Sequence, residues 1–139
     1  MIPNREPTFE EWQQTVPTKI KSGPLWNFGV YPKSSFLYEL VWCDCDIFKK
    51  DIRGRAIVDQ IIRSAGSICA NIEEGYGRGF GRDYAHFLNY GLGSARETQG
   101  WYCRAQHLLL PVVLEQRLSL IDEVIALLVR AINYQRRIK

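Results

Sequence analysis

The sequence has no long hydrophobic stretch and few cysteines. Its longest apolar run is the seven residues 108–114, whereas a membrane-spanning helix needs about 20. Residues 1–14 contain three glutamates and lack the apolar segment of a secretory signal. We therefore expect a soluble, cytoplasmic protein with no membrane partner. In that reducing compartment, the four cysteines should be small buried thiols rather than disulfides.

Signatures of catalysis and metal binding are also scarce. The only histidines are His86 and His107, and no G-x-S-x-G elbow is present, so hydrolysis is not expected. Asp83 and His86 form one Asp-x-x-His pair, which is too few for a di-metal carboxylate site. Cys103 and His107 stand four residues apart, but zinc needs three or four ligands. We expect a buried thiol and a partly buried histidine there, no enzyme activity, no metal and no cofactor.

The net charge is small but unevenly distributed. Eighteen basic and 15 acidic residues give +3. Residues 1–50 are neutral, while residues 51–139 carry 12 basic and nine acidic side chains, and 11 of the 12 are arginine. Arginine presents a planar, permanently charged fork that suits phosphate and carboxylate groups. The second part of the chain therefore mildly favours recognition of an anion.

Length and composition predict a single folded core preceded by an irregular arm. The chain has 139 residues, 46% of them hydrophobic, and 17 are aromatic, which is typical of one globular domain. Five of its six prolines lie in residues 1–33, which cannot hold a long helix. Within this arm, Thr8 and Glu11 have the spacing of a capping box and predict a short helix over 9–16, ended by Pro17. Its aromatic residues should be buried, either on the same chain or on a neighbouring subunit.

Residues 34–139 show the three- and four-residue apolar spacing of four successive helices. The first begins at Ser34, and the second has the clearest pattern, over 57–72. The third runs from Arg82 until Pro111 ends it, and the fourth follows from Leu114. Short connections favour antiparallel neighbours, so we expect an all-α, up-down-up-down four-helix bundle. A buried polar network between the second and third helices is expected from Asp59, Arg63, Asn71 and Glu97.

The glycine-rich segment 75–82 separates the second and third helices. It lacks the spacing and the Lys-Ser/Thr ending of phosphate-binding loops, and no strand precedes it. Its composition predicts a helix cap and a turn. An alternative is that its two arginines contact phosphate beside the first turn of the third helix.

Three segments of the chain resemble one bacterial family: residues 59–65, 68–79 and 93–98. The most specific part is Ala-Asn-Ile-Glu-Glu-Gly-Tyr-Gly-Arg at 70–78. It resembles the four-helix-bundle proteins encoded by intervening sequences of large-subunit ribosomal RNA genes. That family is similar to the accessory variability determinant proteins of diversity-generating retroelements. The resemblance covers about residues 36–137, but Cys69 stands where the family usually has proline and Glu73 where it usually has alanine.

The resemblance implies properties that periodicity does not. These are a homopentameric ring of bundles with a central channel and no known catalytic activity. In the retroelement branch, it further implies binding to reverse transcriptase and to nucleic acid during mutagenic retrohoming. The branch that is named for ribosomal intervening sequences has no established biochemical role.

Bundle topology places the loop between the second and third helices beside the end of the fourth. The basic residues gathered at this pole are Arg78, Arg82, Arg130, Arg136, Arg137 and Lys139. Three acidic residues accompany them, whereas the opposite pole nearly balances six basic side chains, including Arg117, with five acidic ones. The first pole is therefore the predicted nucleic-acid-binding site, and five copies would concentrate its charge. The alternative is an ordinary helix end whose cations complement the dipole.

These observations support two hypotheses about function. The first is a noncatalytic homo-oligomer that binds RNA or DNA, as an accessory scaffold for a retroelement reverse transcriptase. The second is a protein-binding adaptor without affinity for nucleic acid, which uses its aromatic arm and its ring surface as contacts.

Overall fold

The computed structural model of the chain describes residues 6–138, and within this range it is all-helical. The helices are α1 (Phe9–Gln13), α2 (Thr18–Lys21), α3 (Val30–Phe48), α4 (Ile52–Gly77), α5 (Arg82–Arg104) and α6 (Pro111–Arg137). Two short 3-10 helices, Pro24–Asn27 and Gln106–Leu108, complete the secondary structure. In this part of the chain, no helix combines the length and the apolar character needed to cross a bilayer.

The four long helices, α3 to α6, form the bundle. Each packs against its neighbours in sequence, and α6 packs back against α3. Connections of three to six residues join them, which is too short for parallel neighbours. The apolar faces meet in the centre, where Leu37, Ile61, Leu88 and Ile121 from the four helices are fully buried. The predicted helical bundle is thereby confirmed.

Several predicted helix boundaries were wrong. The short helix predicted over 9–16 ends at Gln13, and two further errors concern proline. Helix α3 begins at Val30 rather than Ser34, with Pro32 in its first turn, where its missing N–H breaks no helical hydrogen bond. Pro111 is the first residue of α6 rather than the end of the preceding helix. Proline favours that first position because its backbone is already close to helical.

Two glycines permit the close approaches that join the helices. A Cβ atom on Gly54 would lie 2.0 Å from the carbonyl oxygen of Phe48, so only glycine lets α4 start directly against the end of α3. Gly81 has φ +79°, a conformation that favours glycine. Its N–H donates to the side-chain oxygen of Gln135 at 2.9 Å, which ties the start of α5 to the end of α6.

The N-terminal arm packs on its own bundle. Both hydrogen bonds of the predicted capping box are present, with the Glu11 N–H donating to Thr8 Oγ1 at 3.1 Å and the Thr8 N–H donating to Glu11 Oε1 at 3.0 Å. Behind this cap, Trp12 is buried against Phe36 and Leu40 of α3. Further contacts with this cluster come from Phe9, Val16 and Trp26 of the arm and from Leu120 of α6. The arm therefore covers the seam between α3 and α6.

Arg117 lies at the end of that seam and is 1% exposed. Its Nε and Nη2 donate to the two carboxylate oxygens of Asp44 at 2.7 and 3.0 Å. Its Nη1 donates to Glu6 of the arm at 3.1 Å, and Nη2 makes a second hydrogen bond to the same carboxylate. The Tyr102 hydroxyl donates to Asp44 at 2.6 Å. We call Glu6, Asp44, Tyr102 and Arg117 the carboxylate clamp.

The carboxylate clamp corrects the expectation that Arg117 contributes surface charge. Burial opposes its charged form, but the hydrogen bonds to Asp44 and Glu6 outweigh burial and raise the pKa of Arg117. Burial and the adjacent Asp44 raise the pKa of Tyr102 well above its usual value, so its hydroxyl remains a donor. Both groups therefore keep the protonation states that the hydrogen bonds require.

The buried polar network predicted between α4 and α5 was wrong for Asp59, Arg63 and Glu97. Asn71 is half-buried and donates to Ser67 Oγ at 3.1 Å, and Ser67 Oγ accepts from Ser94 of α5 at 3.0 Å. Asp59 and Arg63 form an exposed ion pair at 2.8 Å within α4, because the i, i+4 spacing lets them meet in solvent. Glu97 accepts a hydrogen bond from Trp101 on the surface of α5. Between the two helices, the buried polar contact is instead Ser64 with Thr98, whose hydroxyls are 2.8 Å apart.

We predict that Arg117→Met lowers the free energy of unfolding by about 3–5 kcal/mol, because it leaves Asp44 buried without its cation. Urea denaturation followed by circular dichroism measures this. Arg130→Met is the matched control at an exposed position and should change stability by less than about 0.5 kcal/mol. The double variant Asp44→Asn/Arg117→Met should lose less than the sum of the two single variants. Equal stability of Arg117→Met and Arg130→Met would contradict the role of the clamp.

The Glu6 contact should depend on pH. The hydrogen bond from Arg117 lowers the pKa of Glu6, so its contribution is complete above the unfolded pKa of about 4.3. It is lost as the pH falls through the lower folded pKa. At neutral pH, Glu6→Gln should therefore unfold at a lower urea concentration than the unmodified chain. This difference in urea midpoint should disappear below about pH 4. A difference that stays constant into the acid range, or one that is equally large for Glu10→Gln at an exposed position, would refute this assignment.

Candidate nucleic-acid interface

The structure brings the end of α4, the start of α5 and the end of α6 to one pole. Gly81 connects them, since its N–H donates to the side chain of Gln135 and a Cβ atom on it would lie 3.5 Å from the carbonyl oxygen of Ile138, the residue after α6. The predicted site residues that the structure describes at or near this pole are Arg78, Arg82, Arg130, Arg136 and Arg137. We call them the arginine pole. The sixth predicted residue, Lys139, lies outside the described residues.

Two of these arginines share a groove between α5 and α6. The groove has a volume of about 450 Å³ and is lined by Arg82, Ala85, His86, Asn89 and Arg136. Arg82, His86 and Asn89 line it together because residues three or four apart lie on the same helix face. Guanidinium, amide and imidazole groups around one concave surface can all donate hydrogen bonds to phosphate oxygens.

The other arginines of the pole are placed differently. Arg78 forms an ion pair with Glu74 at 2.9 Å and lies over the Phe87 ring, 5.2 Å from its centroid. Arg130 and Arg137 are exposed on α6 and do not line the groove. The sequence therefore located the pole, but the groove itself contains only Arg82 and Arg136 of the predicted set.

The charge of the pole is largely uncompensated. Within residues 6–138, none of Arg82, Arg136 and Arg137 forms an ion pair or a hydrogen bond through its side chain. Arg136 and Arg137 lie in the last turn of α6, where they complement the helix dipole. That dipole amounts to roughly half an elementary charge, so it balances only part of two guanidinium groups.

Several cations of the opposite pole have partners, whereas Lys50 and Arg55 form no ion pair within residues 6–138. Arg53 pairs with Asp51 at 3.0 Å, and Lys49 pairs with Asp46 at 3.0 Å. Arg104 lies over the Trp101 ring, and Arg117 is buried in the carboxylate clamp. The two ends of the bundle thus differ more in available charge than their composition indicates.

Between α4 and α5, the chain makes the predicted cap and turn. Helix α4 ends at Gly77, and the turn passes through Gly79 with φ +98° and Gly81 with φ +79°. Between these glycines, Phe80 is 79% exposed. Phe80 was not among the predicted site residues, although two glycines and two arginines flank it in the sequence.

The cysteines and histidines do not assemble into a metal site. In the stretch 6–138, no three His, Cys, Asp or Glu side chains are placed so that they could hold an ion. The predicted burial of Cys103 and His107 was wrong. Cys103 is exposed in the last turn of α5, and His107 lies beyond the end of that helix and is exposed as well. Cys43 is exposed as well, whereas burial raises the pKa of Cys69 to about 12.

A family model described as 23S rRNA-intervening sequence protein matches residues 27–130. This range contains α3, α4 and α5 in full and α6 as far as Arg130, and it includes the glycine turn. Helices α1 and α2, as well as Arg136 and Arg137, lie outside it. No curated protein and no solved structure matches the chain.

Proposed function

The chain belongs to the 23S rRNA-intervening sequence protein family, and from this premise we propose that it is a noncatalytic, homo-oligomeric helical bundle that binds structured RNA. The observation that carries the proposal is the groove between α5 and α6, which is lined by Arg82 from α5 and Arg136 from α6. Within residues 6–138, neither guanidinium has an acidic partner. Phosphate is an anion whose oxygens could accept hydrogen bonds from both guanidinium groups.

The chemistry of the groove favours a polyanion over a small metabolite. The groove is open and polar, and Arg137 and Arg130 extend its positive charge along the exposed surface of α6. Cations spread along a surface in this way contact successive phosphates and release counterions. Binding of this kind fixes the position of a nucleic acid and does not require base-specific contacts.

We further propose that the bundle assembles into a homopentameric ring. This part rests on the resemblance to retroelement accessory proteins, and strongly exposed apolar side chains such as Trp42, Ile52 and Leu110 support an assembly. A ring would repeat the arginine pole five times on one side. In that setting, the protein would act as the RNA-binding accessory of a reverse transcriptase in mutagenic retrohoming.

A protein-binding adaptor is the second candidate, and a specific surface favours it. A groove of about 380 Å³ between α3 and α4 is lined by Tyr38, Gly66 and Ala70, among others. Trp42, which is 61% exposed, lies one turn along α3 from Tyr38. Capture of a partner that is insensitive to salt, together with no RNA binding, would favour this function over the first.

We predict that Arg136→Gln/Arg137→Gln weakens binding of a structured RNA about tenfold or more at moderate salt, because charge-assisted contacts to phosphate are lost. The slope of log Kd against log salt should fall by about 0.7–0.9 for each phosphate contact removed. Fluorescence anisotropy over a salt series measures both quantities.

The matched control is Arg53→Gln/Arg55→Gln, which removes two exposed arginines from the opposite pole. Its affinity and its salt slope should equal those of the unmodified protein. Equal losses in the two double variants would show that binding follows net charge alone, and the assignment to the arginine pole would then be wrong.

A further inference from the structure

Phe80 is the most exposed large apolar side chain in residues 6–138, at 79%. Burial of a phenylalanine side chain is favoured over its exposure to water. Gly79 and Gly81 on either side provide the backbone freedom to turn such a ring inward. The structure instead holds the ring in solvent at the tip of the turn.

The turn that presents Phe80 is anchored on both sides. On the α4 side, Arg78 is held by Glu74 at 2.9 Å and by the Phe87 ring, and Tyr76 packs edge-on against Tyr84. On the α5 side, the Gly81 N–H is bound to Gln135 of α6. A ring on a fixed base loses little conformational entropy when a ligand stacks on it.

The surroundings of Phe80 combine cations with further exposed aromatic rings. Arg78 and Arg82 are each two residues from it in the chain. Of the five strongly exposed aromatic side chains in the described range, Trp42 alone lies away from this end of the molecule, on α3. The four that lie on the end of α4, the glycine turn, the first half of α5 and the end of α6 are Tyr76, Phe80, Tyr90 and Tyr134.

Tyr134 shows the same combination on α6. It is 58% exposed and lies four residues after Arg130 and three before Arg137, so the three side chains share one helix face. Aromatic rings interleaved with arginines recognise unpaired nucleotides, because the rings stack on bases while the cations follow the phosphates. A continuous duplex offers no base face to such a ring, since its bases are stacked on each other.

We propose that Phe80 is a stacking platform for an unpaired base, so that the arginine pole takes single-stranded segments of RNA, such as loops or ends, in preference to continuous duplex. The inference rests on the proposed function and names the class of RNA. The ring of Phe80 holds the base, and Arg82 and Arg136 hold the adjoining phosphates.

The test compares a labelled oligouridine with a blunt RNA duplex, using the full chain and fluorescence anisotropy. Phe80→Ala should weaken oligouridine binding about 5- to 150-fold, the range for loss of one stacked base. For Phe80→Ala, the slope of log Kd against log salt should be unchanged, since no phosphate contact is lost. Binding of the duplex should also be unaffected. Phe80→Trp should retain the affinity. Ile52→Ala removes an equally exposed apolar side chain, 77% exposed at the opposite pole, and should have no effect.

Three outcomes would overturn the inference, and they are distinguishable. If the unmodified protein binds neither RNA, the proposed function fails and the inference fails with it. If it binds both RNAs and Phe80→Ala weakens neither or both equally, the arginine pole still binds RNA but the stacking role is wrong. If Phe80→Ala instead changes the oligomeric mass in solution, Phe80 is a contact between copies of the chain.

Discussion

The pairing of Arg117 with two carboxylates is the interaction on which the rest of the structure depends. It connects Asp44 near the end of α3, the start of α6 and Glu6 of the arm, while Tyr102 brings in the end of α5. A fully buried guanidinium is tolerated only when its donors are satisfied. The position of the arm is therefore coupled to the packing of the bundle. With Glu6 fixed, the aromatic cluster around Trp12 covers the seam between α3 and α6.

The two ends of the bundle differ in how their charges are paired. At the carboxylate clamp, charge is internal and paired, and on the nearby surface Lys49 and Arg53 pair with Asp46 and Asp51. At the arginine pole, the connections are made by backbone, through Gly81 and Gln135, which leaves the guanidinium groups of Arg82 and Arg136 facing solvent. The match to the 23S rRNA-intervening sequence protein family covers residues 27–130, which include the glycine turn but neither α1 and α2 nor Arg136 and Arg137. The arm packs on the seam between α3 and α6 and is tied to the carboxylate clamp through Glu6.

Sequence alone was sufficient for features that depend on local spacing. The apolar periodicity of residues such as Ile61 and Ile121 predicted the helices and their inward faces, and the Thr8–Glu11 spacing predicted the capping box. The helix boundaries predicted near Pro32 and Pro111 were wrong, because proline is unfavourable inside a helix but favourable in its first turn. The carboxylate clamp was not predictable, since 73 residues separate Asp44 from Arg117 and 111 separate Glu6 from it. The position of the arginine pole could be predicted from the bundle topology. The placement of Arg82 and Arg136 in one groove could not, because it depends on how α5 and α6 pack.

We propose that this bundle binds RNA as an oligomer, and native mass spectrometry of the purified full chain is the most direct test. Spectra are recorded with and without a structured RNA that carries single-stranded loops, at modest ionic strength. We expect a homopentamer that takes up RNA and releases it as the salt concentration rises, because the proposed contacts are to phosphate. A protein whose mass stays unchanged at every RNA concentration would contradict this proposal and leave the groove between α3 and α4 as the surface to investigate for a protein partner.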